Sequence, residues 1–489
     1  MADTTDNEYR RVRIEKIGRL KETGANPYPE RFERTHSLSE AKLLPDDKSD
    51  VAVAGRVLMA RVMGKLTFIT LQDHGGRCQV SVRRDDVGTE EYKIIKKLVD
   101  IGDFLGVRGA TYTTKTGEKT VAASSFLHLG KALRGLPEKW HGITDQETLY
   151  RQRYLDLIMN RDSMDRFVLR SRLIQVMRRY LEDTGFLEVE TPILTTKASG
   201  AAAKPFESHH NALDMPVFLR IAPETYLKRC IVAGFDKVFE FARCFRNEGM
   251  DPSHLQDFTM LEYYCAYWNY EDNMSFTQNL VQHVLKELFG TLEITIHGHA
   301  IDFSGDWPRV SFRDLIERDC NIDINEHKTA DSLRTAIANA NIELEGADNL
   351  GRGNLIDHLY KKVSRPLLVN PVFISQHPVD LSPLARRNDE NPDVADRFQL
   401  VIDGWEVVNA YSELVDPLDQ RQRLEEQANL KQGGDEDAMD MDEDYLLAME
   451  HGMPPISGWG MGIDRFCALI TDQENLRDVV LFPLMRTIE

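Results

Sequence analysis

Five short runs rich in β-branched and aromatic residues follow one another between Val51 and Gly130. Turns that contain glycine, aspartate and lysine separate these runs. The runs are VAVAGRVLMARV, KLTFITLQD, GRCQVSVRR, DFLGVRGATY and KTVAASSFLHL. Because five such strands occupy about eighty residues, this part of the chain is predicted to form a small Greek-key β-barrel of the OB type.

The second and third runs predict a hairpin with a defined register. With the turn at residues 73–76, Phe68 lies opposite Ser81, and Thr70 lies opposite Gln79. Strand side chains alternate between two faces, so Phe68 and Gln79 share the outer face. A ring beside an amide suits a stacked, hydrogen-bonded base of single-stranded RNA, although a lone exposed Phe is also ordinary. The residues predicted to fill the barrel core are Ile69, Leu71, Cys78 and Val80.

Composition excludes several classes of protein. The 489 residues carry 60 basic and 79 acidic side chains, which argues against a nonspecific nucleic-acid binder but not against a local basic patch. The sequence contains no run of about 18 apolar residues, so no membrane partner is expected. The N-terminal sequence MADTTDNEYRR lacks the apolar core of a secretion signal, and the six cysteines form no C-x-x-C pair. We therefore expect a cytoplasmic protein with reduced thiols.

Pattern changes divide the chain into four predicted regions. Residues 1–50 form a helical arm and a loop, 51–135 the OB-fold barrel, 136–165 a linker with a short helix, and 166–489 a larger α+β domain. In the arm, Pro and Gly residues stop the helix after about Lys21. The apolar residues spaced at helical intervals on that helix are Val12, Ile14, Ile17 and Leu20. We assign no role to residues 271–365 or 435–444.

The segment FRNEGMDPSHLQDFTMLEYY, residues 245–264, concentrates charged and aromatic residues on two predicted strands. Arg246 and Glu248 share a face of the first strand if the backbone stays extended. A planar guanidinium suits phosphate, and unpaired charges are costly in a core. The segment therefore favours a phosphate site over a core, with an Arg–Glu network inside the sheet as the alternative. Alternation on the second strand places on one face Phe258, Met260, Glu262 and Tyr264.

Two further segments carry candidate chemistry. GWGMGIDRFCALI, residues 458–470, predicts a glycine-rich strand–helix corner where a nucleotide approaches the backbone and Arg465 meets phosphate. A dinucleotide-binding fingerprint is excluded, because only about thirty residues follow. The other segment is LVIDGWEVVNAYSELVDP, residues 400–417. Asn409 and Glu413 are an even number of residues apart, so simple alternation along a strand places them on one face and Glu406 on the other. The sequence has no H-E-x-x-H, G-x-S-x-G or P-loop motif.

In combination these segments resemble the class II aminoacyl-tRNA synthetases. FLEVETPIL, FRNE…FTMLEYY and GMGIDR resemble their motifs 1, 2 and 3, in the order of the family. The barrel resembles the anticodon-binding domain of the subclass for lysine, aspartate and asparagine. The segments RIAPETYLKR, KPFESHHNALD, SPLARRND and NAYSEL are similar to those of the lysine-specific members. The resemblance implies an α+β fold, with an N-terminal OB-fold β-barrel before an antiparallel sheet flanked by helices.

The resemblance also implies an activity. Lysine and ATP would give lysyl-adenylate and pyrophosphate, and the lysyl group would then pass to the 3′ end of tRNA(Lys). The implied cofactor is Mg²⁺, bound with ATP, and the implied assembly is a homodimer formed through motif 1. Phe68 and Gln79 match the pair that reads the central uridine of the anticodon.

Position by position, the resemblance implies two sets of site residues in the larger domain. Arg246 and Arg465 are implied to be catalytic, with Arg246 on the α-phosphate and the lysine carboxylate. The residues implied to bind ATP are Arg246, Glu248, His254, Phe258, Glu406 and Arg465. The residues implied to bind lysine are Gly200, Glu224, Glu262, Tyr264, Asn409 and Glu413.

The sequence departs from the family pattern at two positions. Where the family has two acids for Mg²⁺, this chain keeps Glu406 but has Gln399, and a neutral amide is a poorer ligand for a hard cation. Ser253 stands before His254 where an arginine is common. The metal assignment is therefore Glu406, with Gln399 doubtful.

Three other functions share parts of this pattern. An aspartate or asparagine ligase of the same subclass conflicts with Glu262 and Glu413, which favour a cationic side chain. A non-enzymatic RNA-binding relative would have lost Arg246 or Arg465, and both are present. A ligase that modifies a protein lysine would lack the anticodon barrel.

Overall fold

The computed structural model describes residues 2–137, 145–201, 203–344, 346–432 and 441–487. The chain forms two compact units, Met1–Thr144 and Asp145–Glu489, and each unit has its own hydrophobic core. None of the described helices is long and apolar enough to cross a membrane.

The first unit is built around a closed five-stranded barrel with the strand order β1-β2-β3-β5-β4, which confirms the predicted barrel. Phe68 pairs with Ser81 and Thr70 pairs with Gln79, as the hairpin register predicts. The four predicted core residues of that hairpin are all buried. In chain order the elements are α1 (Ala2–Glu22), α2 (Leu38–Leu43), β1 (Val51–Met63), β2 (Leu66–Gln72), β3 (Arg77–Arg83), α3 (Arg84–Val87), α4 (Thr89–Lys97), β4 (Phe104–Thr113) and β5 (Lys119–Gly130).

The N-terminal helix α1 packs through only part of its apolar face. Val12 and Ile14 are exposed, whereas Leu20 is buried. Arg13 donates from Nη1 to the carbonyls of Ala132 (2.9 Å) and Arg134 (2.8 Å). The helix is therefore attached by the buried Leu20 side chain and by the hydrogen bonds of Arg13.

The second unit contains an eight-stranded sheet with the order β14-β15-β16-β17-β18-β11-β10-β6. Its inner strands pair antiparallel, and the two outermost pairs, β14–β15 and β10–β6, are parallel. The first elements are α5 (Gln146–Arg151), α6 (Arg153–Met159), α7 (Arg161–Asp183), β6 (Leu187–Glu188), β7 (Leu194–Thr195), β8 (Glu207–His210), β9 (Met215–Leu219), α8 (Glu224–Val232), β10 (Lys237–Phe245), β11 (Asp257–Ala266), α9 (Tyr270–Phe289), β12 (Glu293–Ile296) and β13 (His299–Asp302).

The remaining elements complete the sheet and its helices. They are β14 (Arg309–Ser311), α10 (Phe312–Cys320), α11 (Ala330–Asn339), α12 (Arg352–Val363), β15 (Val372–Pro378), β16 (Val394–Ile402), β17 (Trp405–Ser412), α13 (Pro417–Gln432), α14 (Glu443–Glu450), β18 (Ile456–Gly462) and α15 (Ile463–Ile470).

The structure adds detail to the predicted linker and to the motif 1 segment. Residues 145–165, assigned to a linker, form α5, α6 and the start of α7, and the preceding residues 138–144 lie outside the described residues. FLEVETPIL does not form one strand: only Leu187–Glu188 joins the large sheet, and β7 belongs to a separate sheet. Pro192 lies between these strands, where it cannot donate to a ladder. Most of the acidic run 435–444 also lies outside the described residues.

The two faces of the large sheet differ in chemistry. Helices α7, α9 and α15 cover one face with apolar contacts, and Trp459 stacks there on Tyr263 with ring centroids 4.7 Å apart. Strand alternation sends the intervening side chains to the opposite face. That face therefore receives the polar residues of the central strands and forms the floor of the candidate site.

Candidate active site

Two cavities lie side by side on the polar face of the sheet. The first has a volume of about 370 Å³ and the second a volume of about 250 Å³. Arg246, Met260, Asn409 and Gly460 line both cavities and form a wall that the two share. One molecule bound in each cavity would meet the other at this shared wall.

The first cavity gathers all the residues that the sequence assigns to lysine. Three of them are carboxylates that are almost fully buried: Glu224 at the start of α8, Glu262 on β11 and Glu413 just after β17. Burying carboxylates is costly unless cations or donors compensate them. The lining residues in this set are Gly200, Glu224, Glu262, Tyr264, Asn409 and Glu413.

An internal ammonium compensates two of these carboxylates. Lys228 on α8 is fully buried, and its Nζ lies 2.6 Å from Glu224 Oε1. The same Nζ forms a shorter ion pair with Glu413 Oε2. Burial alone would lower the pKa of Lys228, but the two carboxylates overcome this and raise the pKa well above its ordinary value. Lys228 is therefore charged at neutral pH.

Glu413 retains an oxygen without a donor. Within the described residues, Oε1 of Glu413 is buried and accepts no hydrogen bond. The nearest backbone is that of Gly458, where a Cβ atom would lie only 2.0 Å from this oxygen. A buried carboxylate oxygen with no donor requires a partner, and an ammonium in the cavity would supply one.

Glu262 lies beside Glu413 on the cavity floor. Burial, and then the negative charge of Glu224, raise the pKa of Glu262 to about 8. The Tyr264 hydroxyl donates to its Oε2 at 3.0 Å. At neutral pH Glu262 is therefore mostly protonated in the protein alone, and a bound cation would favour its ionised form.

Two groups shape the part of the cavity near Glu224. Gly200 has a φ of +89°, and a Cβ there would lie 3.0 Å from the Cβ of Glu224. A side chain at this position would be strained and would crowd the first carbon of the Glu224 side chain. The Tyr411 hydroxyl donates to Glu224 Oε1 at 2.9 Å and fixes the carboxylate from the other side.

Asn409 is held in one orientation by the half-buried Arg397. Arg397 donates from Nε to Asn409 Oδ1 at 2.8 Å, and from Nη1 to the Leu381 carbonyl at 2.6 Å and to Ser382 Oγ at 3.0 Å. Because Asn409 accepts through Oδ1, its amide NH₂ remains as a donor at the wall shared by the cavities. This arrangement suits an anionic group such as a carboxylate.

The second cavity gathers all the residues that the sequence assigns to ATP. Arg465, at the start of α15, donates from Nη1 to the Glu406 carbonyl at 3.0 Å, and burial lowers its pKa. The Arg246 guanidinium lies 5.1 Å from the centre of the Phe258 ring. Among the described residues, the buried Nε of Arg246 has no hydrogen-bond partner. The lining residues in this set are Arg246, Glu248, His254, Phe258, Glu406 and Arg465.

Arg246 and Glu248 would share a strand face only if the strand continued through them, and it does not. Strand β10 ends at Phe245, and the chain then forms a loop that returns at Asp257. The loop is closed at its base by the Arg246 amide, which donates to the Gln256 carbonyl at 3.0 Å. At its tip, His254 Nδ1 lies 2.8 Å from a carboxylate oxygen of Asp251. The loop therefore brings Glu248 and His254 to the cavity without strand alternation.

Simple alternation of side chains along the strand also predicts the wrong face for Glu406. Leu400 pairs with Val408 and the next residue, Val401, pairs with Glu406, so Val407 is an extra residue in β17. Such a bulge reverses the alternation that follows it. Glu406 thus lies on the same face as Asn409, and both line the second cavity.

Glu406 is the one predicted metal ligand with a carboxylate. Gln399 pairs with Asn409 on the neighbouring strand and is buried, and it contributes only a neutral amide. Across the described part of the chain, no group of three or more His, Cys, Asp or Glu side chains could hold a metal ion. A divalent ion at Glu406 would need most of its ligands from phosphate oxygens and water.

The first unit carries the other predicted site on the outer face of its barrel. Phe68 and Gln79 are both half-buried there, and Arg61 pairs with Phe68 from β1. Gln79 donates from Nε2 to Thr120 Oγ1 at 2.9 Å, which orients its amide. A ring, an amide and an exposed guanidinium on one face suit a single-stranded nucleic acid.

Sequence reasoning missed several residues that shape the first cavity. Lys228 follows Glu224 by four residues, so the helical spacing of the ion pair was visible, but a helical lysine is usually exposed. Arg397 gave no signal, because its partners lie on distant segments. Tyr445, on α14, reaches Lys228 from a part of the chain that was assigned no chemistry.

Comparisons with known proteins cover both units. The family described as "tRNA synthetases class II (D, K and N)" matches residues 145–486, and the family "OB-fold nucleic acid binding domain", named for anticodon binding to tRNA, matches residues 51–129. A protein of Carboxydothermus hydrogenoformans is 47% identical over 98% of both chains. Proteins of Pelotomaculum thermopropionicum (46% identical, 99% of this chain and 96% of the relative) and Bacillus subtilis (44% identical, 98% and 97%) are also similar. All three relatives are named lysine–tRNA ligase.

Proposed function

The chain belongs to the class II tRNA synthetases of the aspartate, lysine and asparagine group, and we propose that it acts on lysine. It activates lysine with ATP to lysyl-adenylate and pyrophosphate, and it transfers the lysyl group to the 3′ end of tRNA(Lys). The names of its relatives support this function over nearly the full chain. The structural observation that carries it is the acidic first cavity, with the donor-free Oε1 of Glu413.

The charges in the first cavity match lysine. Three carboxylates line the cavity, and the internal ammonium of Lys228 pairs with two of them, while Arg246 and Arg397 are the cations of the lining itself. The arginines would offset the substrate carboxylate, and the three acids would receive the substrate ammonium groups. Free lysine carries two such ammonium groups. We assign its α-ammonium to Glu224 beside Gly200, and its ε-ammonium to Glu262, Tyr264 and Glu413.

The same cavity selects against other amino acids. Leucine or methionine would leave buried carboxylates without partners, and such mismatched polar sites discriminate strongly. An aspartate side chain would meet like charges at Glu262 and Glu413. Ornithine is harder to exclude, because it is only one methylene shorter than lysine and one methylene changes the binding free energy by only about 1–3 kcal/mol.

The shared wall of the cavities supports the activation step. Arg246 lines both cavities, and Asn409 presents an amide donor there. The lysine carboxylate is already an anion, so its attack on the α-phosphorus needs no general base. Arg246 holds the carboxylate and the α-phosphate together and offsets the charge that develops, which is catalysis by alignment and electrostatic stabilisation.

The second cavity supplies the nucleotide contacts in this proposal. Phe258 stacks on adenine, Arg465 binds the γ-phosphate, and Glu248 and His254 approach ATP from the loop. Mg²⁺, when bound with ATP, would neutralise phosphate charge, and Glu406 is the residue that would hold it. A single carboxylate together with phosphate oxygens is a ligand set that Mg²⁺ accepts, which fits the neutral Gln399.

The remaining parts of the proposal concern the tRNA, the assembly and the compartment. Phe68 and Gln79 read the central anticodon base on the barrel. Motif 1 forms a homodimer, and its exposed Leu187, Ile193 and Leu194 are apolar surface that a second copy would cover. The protein works in the cytoplasm, where tRNA is charged.

The test of the proposed function is ATP–pyrophosphate exchange with each of the twenty amino acids in turn. Lysine alone should stimulate exchange at micromolar to millimolar concentrations. Stimulation by aspartate or asparagine, or by no amino acid, would refute the proposal. Aminoacylation of tRNA(Lys) with labelled lysine then checks the transfer step separately.

A further inference from the structure

Three tyrosine rings from different elements surround the buried ammonium of Lys228. The ring centroids of Tyr264 on β11, Tyr411 on β17 and Tyr445 on α14 lie 5.9, 5.8 and 5.7 Å from Nζ. Ring faces attract cations, most strongly where water is excluded. The protein therefore encloses this internal ammonium with aromatic rings as well as with carboxylates.

Lys228 lies behind the cavity and does not line it. The two carboxylates that it contacts, Glu224 and Glu413, do line the cavity. A bound amino acid would therefore touch these carboxylates from the front, while Lys228 contacts them from behind. Any effect of Lys228 on substrate must pass through them.

Lys228 offsets negative charge at the back of the acidic cavity. Glu224, Glu262 and Glu413 are all buried, and burial raises the pKa of Glu413 well above its ordinary value while the Lys228 ammonium opposes that rise. Lys228 offsets one of the negative charges, and Tyr411 donates to Glu224 as well. Without Lys228, Glu413 would have no cation partner among the described residues and would favour its protonated form.

We infer that Lys228 is a positioning residue for amino-acid specificity, which holds Glu224 and Glu413 in place for the two ammonium groups of the substrate. The inference rests on the proposed function, because it assigns those two carboxylates to lysine. It adds a residue that makes no contact with lysine or ATP. Its loss should therefore affect lysine and leave ATP binding unchanged.

The test compares Lys228→Met with the wild-type chain in ATP–pyrophosphate exchange. Methionine keeps most of the side-chain volume and removes the charge. We expect the KM for lysine to rise by about 10- to 100-fold, the size of effect typical of a lost partner behind a ligand-binding group. The KM for ATP should stay within about twofold, because the second cavity does not contact Lys228.

The matched control is Arg153→Met. Arg153 is another fully buried cation of the same unit, paired with Asp156 at 2.8 Å and distant in sequence from the residues of both cavities. This variant should lower the melting temperature without changing the lysine KM. If Lys228→Met shows the same pattern, or if its KM values for lysine and ATP rise together, Lys228 is structural only and the inference is overturned.

A second variant covers a failure of Lys228→Met to fold. Lys228→Arg keeps the charge, but its wider guanidinium cannot hold both carboxylates in the same positions. We expect a smaller rise in lysine KM and an unchanged ATP KM, and an unchanged lysine KM here would overturn the inference.

If the wild-type chain activates another amino acid instead, the proposed function fails, and the same comparison is made with that amino acid. If Lys228→Met then raises the KM for that amino acid and leaves the KM for ATP unchanged, the positioning role of Lys228 is still supported.

Discussion

At the residue scale, the acidic cavity depends on carboxylates whose charge is set by their surroundings. Glu413 has Lys228 behind it and a donor-free oxygen in front, while Glu262 has only a tyrosine hydroxyl as a close donor. The two acids therefore have different electrostatic surroundings before the substrate ε-ammonium binds. The Lys228 ammonium opposes the burial that raises the pKa of Glu413 well above its ordinary value, whereas Glu262 has no paired ammonium and ionises when a cation arrives.

This difference predicts a pH dependence for lysine. The pKa of Glu262 is raised to about 8, so below that pH lysine binding must release its proton. The kcat/KM for lysine should therefore rise with pH, by up to about tenfold per unit, and level off above the pKa. Exchange kinetics between about pH 6 and about pH 9 measure this profile.

Glu262→Gln is the control for that profile. The amide cannot ionise, so the rise between about pH 6 and about pH 8 should be lost while the lysine KM increases. A flat profile in the wild-type chain, or the same slope in both chains, would show that Glu262 is not the group that titrates.

At the element scale, the site depends on the contrast between the two faces of the sheet. Strand β18 carries Trp459 and Met461 into the core and presents glycines to the cavity on the other face. The glycines leave room for buried acids from neighbouring strands. Gly458 is the tightest case, because the Glu413 carboxylate occupies the space where its Cβ would stand.

Gly458→Ala should therefore disable the lysine cavity. The added Cβ would lie 2.0 Å from Glu413 Oε1 and 2.5 Å from the Tyr264 ring, so Glu413 must move. We expect kcat/KM for lysine to fall by at least about 100-fold, as for other displacements of about 1 Å in a catalytic site. Gly351→Ala is the matched control, since a Cβ there meets nothing within 4 Å. Equal lysine kinetics in the two variants would contradict the placement of Glu413.

Strands β11 and β17 show where simple alternation predicts the face of a side chain correctly and where it fails. Alternation correctly predicts that Phe258, Met260, Glu262 and Tyr264 share a face of β11, because that strand is regular and nine of its residues pair in register with β10. It fails for Glu406, because an extra residue in β17 shifts the register. Bulges depend on pairing with a neighbouring strand, which a single segment does not reveal.

Sequence reasoning missed Lys228 and Arg397 for a related reason. The motif resemblance assigned the cavity-lining acids, and the structure brings them together, while their binding roles stay predictions. Lys228 and Arg397 act through contacts between segments far apart in the chain. Nothing in their local sequence distinguishes them from ordinary surface cations, so only the folded structure reveals them.

At the scale of the whole molecule, the two units divide the chemistry. The second unit contains both cavities, and the first presents Phe68 and Gln79 on a barrel that has its own core. Activation of the amino acid should therefore proceed without the barrel surface. Recognition of tRNA should depend on it.

Phe68→Ala separates the two activities. Loss of one stacked base is worth about 1–3 kcal/mol, so kcat/KM for tRNA(Lys) should fall by about 5- to 150-fold. Lysine-dependent pyrophosphate exchange should be unchanged. Phe104→Ala is the control, because Phe104 is an exposed ring of the same barrel on β4. Equal loss of aminoacylation in both variants, or loss of exchange in Phe68→Ala, would contradict the assignment.

The most direct test of the account is a crystal structure with lysine and a non-hydrolysable ATP analogue bound. We expect the lysine Nζ within about 3 Å of Glu413 Oε1 and of a Glu262 oxygen, the distance of a charge-assisted hydrogen bond. The α-carboxylate should lie between Arg246 and the Asn409 amide. A lysine side chain that points away from both acids, or an amino acid seated outside the first cavity, would contradict the account.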